Sequence, residues 1–465
     1  MATAVGGVAT IHPGKGLGFL SLGSSLFDVL SKLRSTPLVY PSMNITYDAS
    51  NPLASTIAVS LDANGIRLRF DGSDQRLRLI EILDFNKSRL SYNGGELVRA
   101  DGNPPSFRSI YHKLFGPTFP GEYLPEQETY VLSYPGVAFS FPIERYKWDD
   151  KVDFVSLLSS SNASPAVSMA IYAGSSWAEA RNELFTRQVT TPRSPLVNAN
   201  SARLSTANDE IELVRIHSES RIELVRRHNN PFFITLNSTT AQDLLAELGP
   251  PSSVYRKNDH RLSIHRTSIH RTSSGQRTEH HYTSDYTDDT SEDQQTDGDE
   301  EDDDGTDARG APAPSDYFYN YFNHGFDVFI STSSSSSPAT SHLATKLILH
   351  GNIPGSYDFQ RYRRARWTLE YLDTPSYKDP LTSEMTFDDI AGRLREKWGV
   401  APKPMLLDRA SDSPSSSIEL LGGFEDGDSQ LKSNGDTFSN TELYGFPNLI
   451  FEVLKNRAVC TLTVF

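Results

Sequence analysis

At 465 residues the chain is several times longer than one core requires, and its 37% hydrophobic share falls below the roughly 45–50% of a typical globular domain, so it divides into two or three folded units with segments that join no core. The formal net charge of −15 is local: 13 Asp and Glu, with no Lys or Arg, fall within residues 285–307, which leaves −2 for the rest and argues against a nucleic-acid binder, which needs a basic face. A single cysteine, Cys460, excludes an intramolecular disulfide and any cysteine-built zinc or iron–sulfur centre, and points to a reducing compartment.

From the N-terminus, MATAVGGVATIHPGKG has no basic leader ahead of an apolar run, so no secretory signal is expected and the protein reads as cytoplasmic. Four helix signatures follow, each a Ser or Thr at an N-cap with apolar residues four and eight positions on. They are Ser25 with Val29 and Leu33, Ser106 with Ile110 and Leu114, Thr240 with Leu244 and Leu248, and Thr386 with Ile390 and Leu394. LFGP (114–117), LGPP (248–251) and WGVAP (398–402) stop three of them with glycine and proline. Extended segments are expected at 43–47, 56–61, 66–70, 77–84, 130–141, 254–264, 317–330, 345–350, 366–371 and 449–465. IRLRF and RLRLIEIL among them carry the period-two pattern of half-buried antiparallel strands. The longest nearly apolar run, 130–143, is interrupted by Pro135 and is shorter than the roughly 20 residues that span a bilayer, so no transmembrane segment is expected.

Three segments are too polar to pack and read as loops or mobile insertions: 174–209, 266–314 with its doubled SIHRT and the acid run, and 410–438. A serine-rich break at 331–341 is a fourth. With these removed the cap spacings become similar. The expectation is therefore an α+β fold, mostly antiparallel sheet, built from four repeated helix-plus-strands units in two halves, 1–236 and 237–465.

Few residues carry a chemical signature. Gly14, Gly16 and Gly18 lack the buried strand and following helix of a phosphate loop. The acid run has Ala311 where a calcium loop needs a bidentate Glu, and His260, His265, His270, His280 and His281 fall in a polar linker, so neither metal nor cofactor is expected. No nucleophile elbow or zinc-protease motif occurs, so the standard hydrolytic chemistries lack their local signatures, which does not exclude a dispersed site. Arg361, Arg363, Arg364 and Arg366, interleaved with Tyr362 and Trp367, can grip a phosphate headgroup or can be the charged face of an edge strand. The aromatic run 317–322 is expected to bury one ring set in a core while the other packs under a helix. Thr191, Ser194 and Ser413 precede prolines in the polar segments and are candidate phosphorylation sites.

Seven separated blocks resemble the phagosome assembly factor family, a group once compared with a Golgi transport protein. They are GLGFLSLGSSLFDVLSKL (16–33), GIRLRFDGSDQRLRLIEILDFNKSRLSYNG (65–94), LFGPTFPGEYLPEQETYVLSYPGVAFSFPI (114–143), TTAQDLLAELGPPSSVYRKNDHRLSIH (239–265), SDYFYNYFNHGFDVFI (315–330), LILHGNIPGSYDFQRY (347–362) and ELYGFPNLIFEVLKNRAVCTLTVF (442–465). The resemblance implies a non-enzymatic autophagy factor that works with a WD-repeat propeller protein at the phagophore assembly site, where the pair recognises phosphoinositide-bearing membrane. It implies no residue-level lipid motif. The SIHRT pair, the acid run and the serine tract depart from the family pattern. Two other classes stay open: a Golgi or vesicle trafficking adaptor without lipid binding, and a hydrolase with a dispersed site.

Overall fold

In the run IRLRF, alternation puts Ile66, Leu68 and Phe70 on one buried face of a strand and two arginines on the other. Repeated along the chain, the pattern gives a fold that is mostly antiparallel sheet with few helices. The computed structural model describes residues 8–98, 104–148, 153–160, 163–187, 209–256, 316–332, 342–371, 379–407 and 440–465.

The first part of the chain opens with β1 (Ala9–His12), β2 (Gly16–Leu17) and β3 (Leu20–Ser21), then α1 (Leu26–Arg34). A meander follows: β4 (Asn44–Thr46), β5 (Ile57–Leu61), β6 (Ile66–Phe70) and β7 (Leu77–Ile82). Next come β8 (Leu90–Tyr92), β9 (Gly95–Glu96), a π-helical turn over Ser109–Leu114, β10 (Glu122–Leu124), β11 (Thr129–Tyr134) and β12 (Val137–Pro142). The short α2 (Phe154–Leu158), β13 (Ser168–Tyr172) and α3 (Trp177–Glu183) complete it.

The second part starts with β14 (Ile211–Ile216), β15 (Arg221–Arg226) and β16 (Phe232–Thr235), then α4 (Ala241–Leu248). Its meander is β17 (Ser253–Arg256), β18 (Tyr317–Tyr321), β19 (Phe326–Thr332) and β20 (His342–His350). After β21 (Trp367–Leu369), β22 (Leu381–Thr382) and α5 (Phe387–Trp398) come β23 (Met405–Leu407), β24 (Thr441–Phe446), β25 (Leu449–Val453) and β26 (Val459–Val464).

These strands make four sheets among the described residues. Two have five strands, ordered β3-β2-β1-β8-β9 and β16-β15-β14-β21-β22. Two have eight, ordered β10-β11-β12-β13-β7-β6-β5-β4 and β17-β18-β19-β20-β26-β25-β24-β23. Pairing is antiparallel except where β1 meets β8 and β14 meets β21.

Three of the four expected caps open α-helices. The Ser25, Thr240 and Thr386 hydroxyls accept the N–H groups of Asp28, Asp243 and Asp389, and Thr240 with Asp243 forms a reciprocal capping box. Gly399 ends α5 in the left-handed conformation, φ 64°, a position where a Cβ would be strained. The second cap behaves differently. Ser106 Oγ accepts from Ser109 N–H at 3.3 Å, but the turn then widens, with Phe115 N–H reaching the Ile110 carbonyl five residues back. Bulky rings pack there, Phe107 on Tyr111 and Phe115 on Tyr92.

Other expectations need correction. Segments 130–141 and 317–330 are each a hairpin, turned at Gly136 and Gly325, both at positive φ. Segment 174–209 begins with α3, capped by Ser176, so its first third is not loop. The division at 236 cuts a sheet, because β14 pairs with β21 and β15 with β16. Residues 361–366 turn ahead of β21 and do not form an edge strand. Segments 266–314 and 410–438 lie outside the described residues.

One apolar cluster joins α1 through Leu26, Val29, Leu30 and Leu33 to the first eight-stranded sheet. Another, beginning at Ile211, joins α4 and α5 to the second through residues such as Leu244, Ile390, Leu347 and Phe451. Among the described residues no helix is long and apolar enough to cross a membrane.

Candidate functional site

The four arginines singled out in the sequence sit on the segment between β20 and β21, where the two halves meet. Arg363 donates to Asp28 of α1 and, at 3.2 Å, to the Ser25 hydroxyl that also caps that helix; its other terminal nitrogen lies 3.7 Å from Glu210. Arg364 is buried and donates to the carbonyls of Ser73 and Gly351, both at 2.6 Å. Burial lowers its pKa to about 10, with nearby Glu384 opposing the shift. Arg366 pairs with Glu384 at 2.7 Å and approaches Asp74 at 3.9 Å; Arg361 pairs with Asp358 at 3.2 Å.

Glu210, just ahead of β14, is the hub of this seam. It accepts from Arg76 of the first half and from Arg227, at 3.0 Å, with Arg363 alongside. Burial opposes its charge, yet Arg363 and Arg76 hold its pKa down at about 2. Next to Arg76, Gln75 Nε2 donates to the Asn352 backbone carbonyl at 2.7 Å and Asn352 Nδ2 donates to Gln75 Oε1 at 2.6 Å. Both residues have positive φ, 53° and 47°, which costs a non-glycine residue about 1–2 kcal/mol and is held here by the paired amides. Apolar contact across the seam is limited among the described residues; Phe359 meets Tyr47 edge-on at 5.4 Å, and Leu53 packs on the small cluster of Ile353, Leu454 and Ala458.

The same segment closes over a buried charge cluster. His350 Nε2 donates to Asp327 at 2.9 Å, its other nitrogen lies 3.6 Å from Asp358, and the Tyr362 ring stacks on it at 3.7 Å while the phenol donates to Asp327. Burial disfavours the imidazolium, but Asp327 and Asp358 raise its pKa to about 9. Asp358 is pushed up by burial and pulled down to about 2 by His350. Two acids and a histidine do converge here, as a hydrolytic site requires, yet His350 is 6% exposed and its partners are committed to it. The chemistry available to this arrangement is mutual neutralisation, which fixes the 350–366 segment against β19.

The sequence grouped Arg361, Arg363, Arg364 and Arg366 as a headgroup grip or the charged face of an edge strand, and the structure sets them against carboxylates and carbonyls. Their partners were missed, because Asp28, Ser73 and Glu210 lie far away in sequence. His350 and Asp358 stood inside a quoted block, LILHGNIPGSYDFQRY, with no local spacing to mark them. The aromatic run divides as expected in part: Tyr321 is buried in the second core, with Tyr317 and Tyr319 packed at its margin. Phe318 faces the other way onto Phe329, and no helix among the described residues covers it. Thr191, Ser194, Ser413 and the five clustered histidines lie outside the described residues. No group of three or more His, Cys, Asp or Glu among the described residues is placed to hold a metal ion.

Comparison with known proteins covers almost the whole chain. A PHAF1 protein of Arabidopsis thaliana is 25% identical over 100% of this chain and 94% of its own length. PHAF1 proteins of Drosophila melanogaster and Caenorhabditis elegans are 24% and 23% identical, each over 96% of this chain and 90% of their own length. No solved structure matches. The model of the family described as phagosome assembly factor 1 matches residues 16–287 and 303–465, so the chain belongs to the phagosome assembly factor 1 family.

Proposed function

We propose that the chain is a non-enzymatic assembly factor for an autophagic membrane, acting with a WD-repeat propeller protein at the phagophore assembly site and recognising phosphoinositide there. The observation that carries this is the span of the family match, which takes in strands of all four sheets and all but β1, so the role attaches to the whole fold and not to a grafted module. The arginine seam bears on how lipid is met. Because Arg361, Arg363, Arg364 and Arg366 are already paired with carboxylates or carbonyls, headgroup contact falls to other cations or to the propeller.

The test is vesicle sedimentation with phosphatidylinositol 3-phosphate, comparing this chain, the propeller and their complex, beside measurement of autophagic flux in cells lacking the chain. Pelleting of the complex, with slowed flux, is expected. Normal flux removes the assembly role; slowed flux without pelleting leaves a trafficking adaptor that does not read lipid.

We also infer that the fold is four copies of one unit, short strands followed by a helical turn and a four-strand meander, with the halves dividing between residues 188 and 208. The matching element order supports this. Superposing 26–82 on 241–350 tests it: helix and all four strands should align together.

A further inference from the structure

Each eight-stranded sheet has one face on a core and one turned away. In the first half the outer face presents Leu79, Val131, Ala138 and Tyr172, all buried, because α3 lies across them with Trp177 edge-on to Tyr172 at 5.2 Å. The second sheet carries the same register. Val137 pairs with Ile171 directly after the β11–β12 turn, as Leu449 pairs with Val464 directly after the β24–β25 turn. Counting outward from those pairs, Lys346, Leu443, Ile450 and Phe465 take the places of the four covered residues.

Among the described residues no element lies across these four. Phe465 is 41% exposed where Tyr172 is 0% exposed, Leu443 and Ile450 are half-buried, and none belongs to a buried apolar cluster among the described residues. Ile348, Phe318 and Phe329 extend the apolar surface, with the two phenyl rings 4.8 Å apart. On it lies one exposed cation. Lys346 Nζ sits 5.6 Å from the Phe329 ring and 6.0 Å from the Phe465 ring, and has no carboxylate partner among the described residues.

We propose that this outer face is a docking surface for an amphipathic helix of a partner protein, one that sets an aromatic side chain on Phe465 and a carboxylate on Lys346. Two observations choose the occupant. The covered sheet shows what kind of element closes this register, a short helix with an indole on an aromatic ring. The ammonium, with no carboxylate beside it among the described residues, supplies the charge complement on an apolar face, since a cation covered without an anion is costly. The inference rests on the equivalence of the halves proposed above, which superposition tests by itself.

The experiment titrates the full chain into a fluorescein-labelled peptide of residues 175–187, the segment that contains α3, and follows anisotropy. Saturable binding is expected. It should weaken by about tenfold or more with Ile450→Asp in the chain, with Lys346→Glu, or with Trp177→Ala in the peptide, and stay unchanged with Arg67→Asp on the first sheet. Lys346→Glu, an exposed site, keeps the test valid if Ile450→Asp unfolds the chain. The proposal is overturned if the folded wild type shows no saturable binding, or if both face variants bind like wild type. It is equally overturned if binding appears only after residues 408–439 are deleted, since the chain then covers its own face. A concentration-dependent dimer that Ile450→Asp dissolves overturns it too, because the occupant is then a second copy.

Discussion

Inside the halves Leu347 and Phe451 meet other apolar side chains, whereas between the halves Glu210 meets Arg76, with Arg227 and Arg363 gathered on the same carboxylate from its own side. The two kinds of contact answer to different physics. A buried leucine gains from leaving water whatever its neighbour, so it tolerates an approximate fit. A buried carboxylate gains only from its specific partners and loses heavily without them, so the seam fixes one relative placement of the halves while adding little net stability.

The strongest test of that contrast is Glu210→Ala. It takes the nearest carboxylate from the buried Arg76, while Arg363 keeps Asp28, and should cost about 3–5 kcal/mol in urea unfolding, as much as Leu347→Ala at about 2–5 kcal/mol. A loss below about 1 kcal/mol would make the seam equivalent to a surface ion pair. Next in size is pH. His350, raised to about 9 from 6.5, contributes stability that is complete below pH 6.5 and is lost as pH rises toward 9. Glu210 and Asp358, both depressed to about 2, contribute stability complete above pH 4.5 and lost as pH falls toward 2. Burial also holds His324 down at about 4, so stability climbs as pH rises from 4 to 6.5; the urea midpoint should therefore peak near pH 6.5 and fall on both sides, and a flat profile to pH 9 would contradict the charged His350. Thr386→Ala removes one cap from α5 and should cost about 1 kcal/mol by the same measurement. Smallest of all, deleting 266–314 should leave the melting temperature unchanged, since its composition offers no core residues; a large drop would place it in the fold.

What could be read from the sequence follows the same line. Strands β5, β6 and β7 and the caps Ser25, Thr240 and Thr386 were legible because each rests on a pattern a few residues long. Strands β14 and β15 were missed although IELVR occurs at 211–215 and again at 222–226, because the adjacent Leu and Val break the period-two alternation in both runs. The helical turn after Ser106 was legible, but its π winding was not, since ring packing of Phe115 on Tyr92 lies outside the local pattern. The arginines were read as a surface because a charge run looks solvated until its counter-ions are found, and Asp28 approaches Arg363 only in three dimensions.

The parallel joint between β14 and β21 also sets an order in time. Val214 must wait for Trp367, and Leu349 on β20 for Leu462 on β26, gaps of more than about a hundred residues that take a ribosome at least several seconds to make. Until then β20 has no neighbour on that side, with Leu347 and Leu349 open to any extended chain nearby. The first eight-stranded sheet needs only Met169 to reach Ile82 before it closes. Nascent chains should thus protect the first half early and rely on chaperones for the second, so that slowing translation within 350–460 lowers the yield of native protein more than slowing it before 170.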